Sequence, residues 1–355
     1  MKQNPNIKYG EIKMKTKLFL PIIFITFMLP LLFCGCNYGG DDDNDYIPIY
    51  QDAIYIIDAD GSNKQKVIDV DNCDNVQFIP NSNKLLYMAD NSLFTVNEDG
   101  AENTKISGEL EVIWNLRPSV SYDGNYVACN INNQNYWDVK IINLFTNDIN
   151  DIPLSECQKF YPVFASQNNI LCFSNDVSGI LTYDIASANI DTVYFTNNYV
   201  AGMIFSDDDN DIFFSEYPLN RNLASLKKID LITFEIELIN DNSSSIQAPY
   251  MDSIENLIAF HTFNPFLLQV MNFSTLDPIF STEGYMPNFI DNQKVIYSTK
   301  NFSFIGDILL QDFIDNTSSI VAVNSFSPSF SAVKQQIVFL SQYLVNPRNN
   351  IYITN

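Results

Sequence analysis

A unit of about 42 residues recurs seven times between Val76 and Leu340, and a fixed period of this size requires repeats that stack or close radially. Each copy opens with a short strand, a tight turn and a second, apolar strand. Five copies begin with proline: residues 118–129 (PSVSYDGNYVAC), 162–173 (PVFASQNNILCF), 249–260 (PYMDSIENLIAF), 287–298 (PNFIDNQKVIYS) and 328–339 (PSFSAVKQQIVF). Two more, 76–88 (VQFIPNSNKLLYM) and 202–215 (GMIFSDDDNDIFFS), lack that proline but keep the turn and the apolar run. At 355 residues the chain exceeds the usual single core, so it is either two domains or one array, and the repeats decide for the array.

Downstream of each core the sequence continues into a third strand and a hairpin to a fourth, as in 138–154 (DVKIINLFTNDINDIPL), 225–239 (SLKKIDLITFEIELI) and 307–323 (DILLQDFIDNTSSIVAV). The 27 Phe and 19 Tyr suit strands, and no stretch beyond the first 36 residues sustains a helical period. Four antiparallel strands per unit are the blades of a β-propeller. The prediction is an all-β, seven-bladed propeller of four-stranded antiparallel blades, with eight blades as the alternative. Asp60-Gly61, Asp99-Gly100 and Asp123-Gly124 are turn pairs in which glycine supplies the positive φ of a tight hairpin. The recurring proline is placed at the start of the first strand, where a missing N–H breaks no ladder bond. Residues 54–68 (IYIIDADGSNKQKVI) look like the outer half of a blade, and the last repeat stops at 351–355 (IYITN). The two ends are therefore expected to share one blade, with the N-terminal segment supplying its outermost strand. Ile54–Ile57 and Ile351–Ile353 both look like third strands, which leaves the count imperfect.

The first 36 residues read as an address. Lys13, Lys15 and Lys17 precede 16 uncharged residues, Leu18 to Phe33, and then Cys34-Gly35-Cys36. That order is the order of a signal peptide. Gly35 before Cys36 resembles a bacterial lipobox, with Phe33 and Cys34 in place of the usual Leu and Ala, Ser or Thr, and the resemblance implies that Cys36 becomes a lipidated N-terminus. Met14 is a second candidate start. The competing reading is a transmembrane anchor, but 16 residues interrupted by Pro21 and Pro30 fall short of a span of about 20. The expected organisation is a signal peptide over 1–35, a flexible acidic linker over 36–50 and a propeller over 51–355. In the linker, Asp41 to Asp43 with Asp45 resemble the acidic tract that follows the lipidated cysteine of some Bacteroidota lipoproteins; the plainer reading is a solvated tether.

The chain holds 19 basic and 42 acidic residues. Without the five lysines and one glutamate of residues 1–35, 14 basic and 41 acidic remain, a net charge of about −27. Nucleic acid and anionic membrane surfaces are disfavoured, because phosphate neutralisation needs clustered Lys and Arg. Contact with membrane is assigned to the N-terminal lipid only, and a neutral or cationic glycan or polypeptide is the expected partner of a monomer. Cys73, Cys129, Cys157 and Cys172 are read as core-filling thiols in preference to disulfides. A lone histidine, His261, excludes a multi-histidine metal site and is read as structural. Asp207-Asp208-Asp209 with Asp211 is read as a solvated hairpin. No cofactor motif is present.

The hairpin at 54–68 followed by the turn at 121–128 (SYDGNYVA) resembles the TolB-like, WD-type propeller repeat, which pairs a DADG hairpin with a P-x-x-SPDG turn. The likeness covers about residues 50–355 and rests on Asp58, Asp60, Gly61, Asp99, Gly100, Tyr122, Asp123 and Gly124. Later repeats carry Ser166-Gln167-Asn168, Asp252-Ser253-Ile254 and Ala332-Val333-Lys334 instead. The resemblance implies a scaffold in the bacterial envelope and carries over no catalytic residue.

The expected function is therefore a non-enzymatic envelope lipoprotein of the outer membrane that binds a protein or glycan, with Tyr136, Trp137 and Tyr161 as the candidate binding surface. The alternative is a glycan lyase or hydrolase working with Asp and Glu alone. It requires two carboxylates about 5–10 Å apart in a pocket at the channel mouth. A purely structural role would show instead as an exposed apolar patch on a blade edge.

Overall fold

The computed structural model describes residues 49–345, except 114–115, 134–135, 155–156, 178, 219–223, 242–245, 264–265 and 300–305. Cys36, the signal segment, linker residues 36–48 and Ile351–Ile353 lie outside the described residues, while residues 49–50 of the expected linker belong to the first strand. The described chain opens with β1 (Ile49–Asp58) and β2 (Gln65–Val70). Five four-stranded antiparallel sheets follow in order. The first is β3 (Cys73–Phe78), β4 (Lys84–Ala89), β5 (Ser92–Asn97) and β6 (Thr104–Lys105); the second is β7 (Ser119–Val120), β8 (Tyr126–Asn133), β9 (Tyr136–Asn143) and β10 (Ile149–Asp151). The third is β11 (Lys159–Phe164), β12 (Ile170–Asn175), β13 (Gly179–Asp184) and β14 (Asn189–Tyr194); the fourth is β15 (Tyr199–Phe205), β16 (Asp211–Tyr217), β17 (Ser225–Asp230) and β18 (Ile236–Asn240). The fifth is β19 (Ile246–Ile254), β20 (Leu257–Phe263), β21 (Phe266–Asn272) and β22 (Asp277–Thr282). The chain then runs through β23 (Tyr285–Asp291), β24 (Lys294–Ser298), β25 (Gly306–Asp312), β26 (Thr317–Ser331) and β27 (Gln336–Val345).

The all-β propeller architecture is present, but the expected seven separate four-stranded blades are not. Beyond the five four-stranded sheets there is one seven-stranded sheet, ordered β2-β1-β27-β26-β25-β24-β23. Its cause is β26, 15 residues long without a break. The first half of β26 pairs with β25 and the second half with β27, so no loop separates the last two repeats. The first and last described strands, β1 and β27, share this sheet. The N-terminal contribution is two strands, not one: β1 runs antiparallel to β27 from Ile49↔Val345 to Asp58↔Gln336, and β2 lies outside it.

The apolar run in the second strand of every repeat is continuous because both of its faces are buried. Leu85 and Tyr87 pack towards the last repeat, with Val338 and Leu340, while Leu86 and Met88 pack towards the next, with Val127 and Cys129. The same alternation passes through Phe173 and Cys172, Phe214 and Phe213, Phe260 and Ala259, and Tyr297 and Ile296, until Phe339 and Val338 return to the start. Cys129 and Cys172 are free and buried here, and burial pushes the Cys129 thiol up to about 12. Each large side chain in this ring contributes roughly 1.5–3 kcal/mol by leaving water.

First strands line the axis, and several carry a bulge. Tyr161, Gly202, Met286 and Ser327 have φ between 51° and 55°, and the ladder register shifts beside each. Pro162, Pro287 and Pro328 follow three of them. In these three repeats the proline thus lies inside the strand at the bulge, where the ladder is already interrupted, whereas Pro118 immediately precedes β7, at the strand start as expected.

Turns between first and second strands are tied to one another. Asp123 accepts from the Ser121 hydroxyl (2.7 Å) and the Asn125 N–H (3.0 Å) within its own turn, and from the Asn169 amide of the next repeat (2.6 Å). Ser206-Asp207-Asp208-Asp209-Asn210 repeats that turn, with Asp208 in the place of Asp123. Asp209 accepts from the Gln167 N–H (2.8 Å) and Asp207 from the Glu255 N–H (3.1 Å), so this acidic string clamps three repeats together and is not merely solvated. A second recurrent turn joins third and fourth strands at the same end. Asn143, Asp184, Asp230, Asn272 and Asp312 each accept from the N–H groups two and three residues on, and the residue four on is left-handed.

The three predicted turn glycines differ in what surrounds them. Gly61 (φ 85°) has open space where a Cβ would stand, whereas a Cβ on Gly100 (φ 84°) would lie 2.3 Å from the Val67 carbonyl oxygen and one on Gly124 (φ 73°) 2.1 Å from that of Pro80. Gly61→Ala is expected to lower unfolding free energy by about 1–2 kcal/mol, the cost of a left-handed alanine. Gly100→Ala and Gly124→Ala should lose about 1–3 kcal/mol more, because backbone must move. Denaturant melts of the three variants, compared side by side, check the order.

Candidate functional site

Residues from the first strands surround two adjoining axial cavities. The outer one, of about 800 Å³, opens at the end carrying the first-to-second-strand turns and is lined by Gln77, Arg117, Asp252, Asn288, Ser329 and Lys334 among others. The inner one, of about 200 Å³, shares Gln77 and Arg117 and reaches Asn130, Tyr161, Met203 and Met251. Arg117 donates to the Ser329 hydroxyl at 3.0 Å. Asp252 accepts the N–H groups of Phe289 (2.6 Å) and Ser253 (3.0 Å). Burial pushes its carboxyl up to about 6, against the opposing pull of those two N–H groups and of Arg117, with Asp207 adding like-charge repulsion.

At the opposite, entry end, where the first strands begin, the aromatics form a chain. Trp137 meets Phe160 edge-on at 5.5 Å, Phe160 leads to Tyr161 (6.3 Å) and Tyr199 (5.9 Å), and Tyr199 leads to Tyr217 (6.0 Å). The hydroxyls of Tyr161 and Tyr199 are 2.9 Å apart, and Tyr199 remains 40% exposed. Tyr161 is held by its bulge: its N–H donates to Asn130 Oδ1 at 3.1 Å, and its φ of 51° is a conformation that bulky residues avoid. Of the three residues singled out in the sequence, Trp137 and Tyr161 are thus brought together through Phe160. Tyr136 stands apart, 42% exposed, its hydroxyl accepting from Asn133 at 2.7 Å.

Tyr136 lines a lateral cleft of about 770 Å³ between the second and third sheets, with Asp138, Lys140, Gln158, Lys159 and Asp176. The acidic groups there are engaged. Asp138 pairs with Lys159 at 2.8 Å and Lys140 at 3.2 Å, Lys140 also pairs with Asp151, and Asp176 accepts the Gln158 N–H at 3.0 Å. Although burial opposes it, these cations and the Val139 N–H hold the Asp138 carboxyl below its ordinary value.

The two-carboxylate requirement for glycoside hydrolysis is not met in the axial cavities, where Asp252 is the sole Asp or Glu among the lining residues described. No cluster of three or more His, Cys, Asp and Glu side chains suited to a metal occurs among the described residues. His261 is buried 5.5 Å from the ring of Tyr285, consistent with a structural residue. Phe160, Tyr199, Tyr217 and Asp252 were invisible to motif reading. Their one sequence signal is position: Phe160 and Tyr199 stand at the head of first strands, Tyr217 at the end of a second strand, and Asp252 where the S-x-D-G turn is lost.

No protein-family model and no curated protein matches the sequence. Among solved structures, a protein described as TolB from Agrobacterium tumefaciens superposes with a TM-score of 0.51 at 12% identity, over 84% of this chain and 100% of that one. An oligogalacturonate lyase from Vibrio parahaemolyticus gives 0.58 at 12% identity, over 83% and 97%. A chain of a mitotic checkpoint complex gives 0.55 at 12%, over 85% and 96%. The fold is that of a β-propeller. At these identities the likeness extends to architecture, and the TolB-like resemblance of the sequence holds at that level.

Two outcomes follow from the charges. Asp138→Asn leaves Lys159, 4% exposed, without its carboxylate, and should cost about 3–5 kcal/mol in a denaturant melt, much of it recovered by adding Lys159→Met. Asp252 has a folded-state value raised above 3.8, so its contribution is full below about pH 4 and is lost as pH rises through about 6. Subtracting the pH–stability curve of Asp252→Asn from that of the parent should therefore give a difference that falls between those limits.

Proposed function

We propose that this chain is a non-enzymatic recognition propeller of the bacterial cell envelope, anchored to the outer membrane by a lipid on Cys36, with residues 1–35 as its signal, 36–50 as its tether and 51–355 as its binding domain. Its ligand is a protein or glycan, bound at the entry end. The observation that carries this reading is the aromatic chain from Trp137 through Phe160, Tyr161 and Tyr199 to Tyr217, part-exposed and built around a strained residue. Flat apolar faces with hydroxyl tips suit sugar rings and peptide side chains alike. A binding role is favoured over catalysis because the carboxylates near both ends serve as ion-pair or backbone acceptors. Likeness to TolB and to a chain of a mitotic checkpoint complex accords with a propeller used for assembly. The lyase likeness supplies the competing reading.

Two measurements test the proposal. Glycan and peptide arrays probed with the parent and with Tyr136→Ala, Tyr161→Gly and Tyr199→Ala should give a hit weakened about 10- to 100-fold by at least one variant. Hits indifferent to all three, or a hit converted to unsaturated or hydrolysed sugar, would overturn it. Membrane fractionation of cells making the full chain or Cys36→Ala should show attachment that depends on Cys36, and attachment without it would remove the lipid anchor from the proposal.

A further inference from the structure

The hairpin from β17 to β18 departs from its counterparts. At its left-handed fifth position stands an aromatic residue, Phe234 (φ 59°), where the other hairpins have Asn147, Ala188, Leu276 and Asn316. Asparagine enters this conformation readily; an aromatic residue there costs about 1–2 kcal/mol. Phe234 is also 58% exposed, so packing does not offset that cost. Around it, alternate residues are apolar and turned to solvent: Ile232 is 74% exposed, and Ile236 and Leu238 46% each. Ile236 and Leu238 pair with Ile229 and Lys227 and share one face of β18.

β18 is the outermost strand of its sheet, so one backbone edge has no strand partner among the described residues. Among the other outer strands β22 comes nearest, with Leu276 43% and Ile279 44% exposed, but its hairpin presents two such residues where that of β18 presents four. β6 exposes Thr104 and Lys105, β10 exposes one large apolar residue, Ile149, and the apolar residues of β14 are part-buried. A free edge with exposed apolar side chains is a template for an added strand. The neighbourhood is acidic, with Glu237 in the strand and Glu235 and Asp241 flanking it, and its two cations are engaged, Lys228 with Glu237 at 3.1 Å and Lys227 with Glu216. A second copy of a chain with net charge −23 would be repelled, whereas a cationic strand would be attracted.

We infer that β18 is a docking edge for an extended cationic polypeptide with apolar side chains at alternate positions, which adds to the fourth sheet as a fifth strand and covers Phe234, Ile236 and Leu238. This surface is separate from the entry-end aromatics, and the inference stands whether or not they bind a ligand.

The test uses the full-length chain, in mild detergent, and a capped peptide of alternating lysine and valine. Its control is the same peptide with alternate backbone nitrogens methylated, which keeps the charge and abolishes strand pairing. The unmethylated peptide should bind and slow amide exchange in residues 232–240, and methylation should weaken it at least about tenfold. Phe234→Asn, and Ile236→Ser with Leu238→Ser, should weaken binding similarly. Phe234→Asn should do so while leaving thermal stability equal to or above that of the parent, because it restores the residue the left-handed position favours. Equal binding of the two peptides, undiminished binding by the variants, or no binding at all would each sink the inference.

Discussion

Burial of the second strand of each repeat on both faces is the interaction on which the rest depends. Successive residues of that strand, such as Leu85 and Leu86, belong to different interfaces, one shared with the preceding repeat and one with the following. A repeat standing alone would expose half of its apolar run, so no copy is stable without two neighbours. The first and last copies can meet this demand only by packing on each other, as Val76, Leu85 and Val338 do. Closure is thus a requirement of the pattern, and the pairing of β1 with β27 holds the chain ends in it.

The same logic places the acidic residues. Asp58, Asp60, Asp123, Asp184, Asp208 and Asp230 accept hydrogen bonds in turns, and side-chain or backbone donors hold each carboxyl below its ordinary value. Part of the negative charge is therefore a by-product of turn chemistry, repeated because the turn is repeated. Such carboxylates stabilise the fold above their unfolded value and lose that contribution as pH falls through the folded one. Asp252 runs the other way: burial dominates, and its ionised form is the costly one. The charge excess is consequently weaker evidence about a partner than composition alone suggests.

The period, the strand–turn–strand core and the DG turns could be read from the chain because they follow from local rules that recur. The merger of the last two repeats could not. It depends on residues 317–331 staying extended past the point where other repeats turn, and nothing in Val321 to Phe326 marks that difference. The clamps between repeats were hidden for a similar reason: Asp209 and Asn169 look like ordinary hairpin residues until the next repeat is beside them. At the candidate site, Trp137 and Tyr161 could be picked out as aromatics at strand ends, but the link between them, Phe160, could not, because it depends on the bulge after it.

Tyr161 and Phe234 break local rules in the same way, each placing an aromatic side chain in a left-handed conformation. Phe234 takes no part in the core, and Tyr161 packs only partly against it. Tyr161 projects into the axial cavity, and Phe234 into solvent. Natural sequences are locally consistent where only folding is at stake, since each inconsistent choice subtracts from a small net stability. Equivalent turns in this chain use Asn147, Ala188, Leu276 and Asn316, and equivalent bulges use Gly202, Met286 and Ser327, so residues that enter the conformation more readily are present in neighbouring repeats beside bulky ones. Among the residues at these turn and bulge positions Tyr161 and Phe234 are the two aromatics, and they lie at the two surfaces to which binding is assigned.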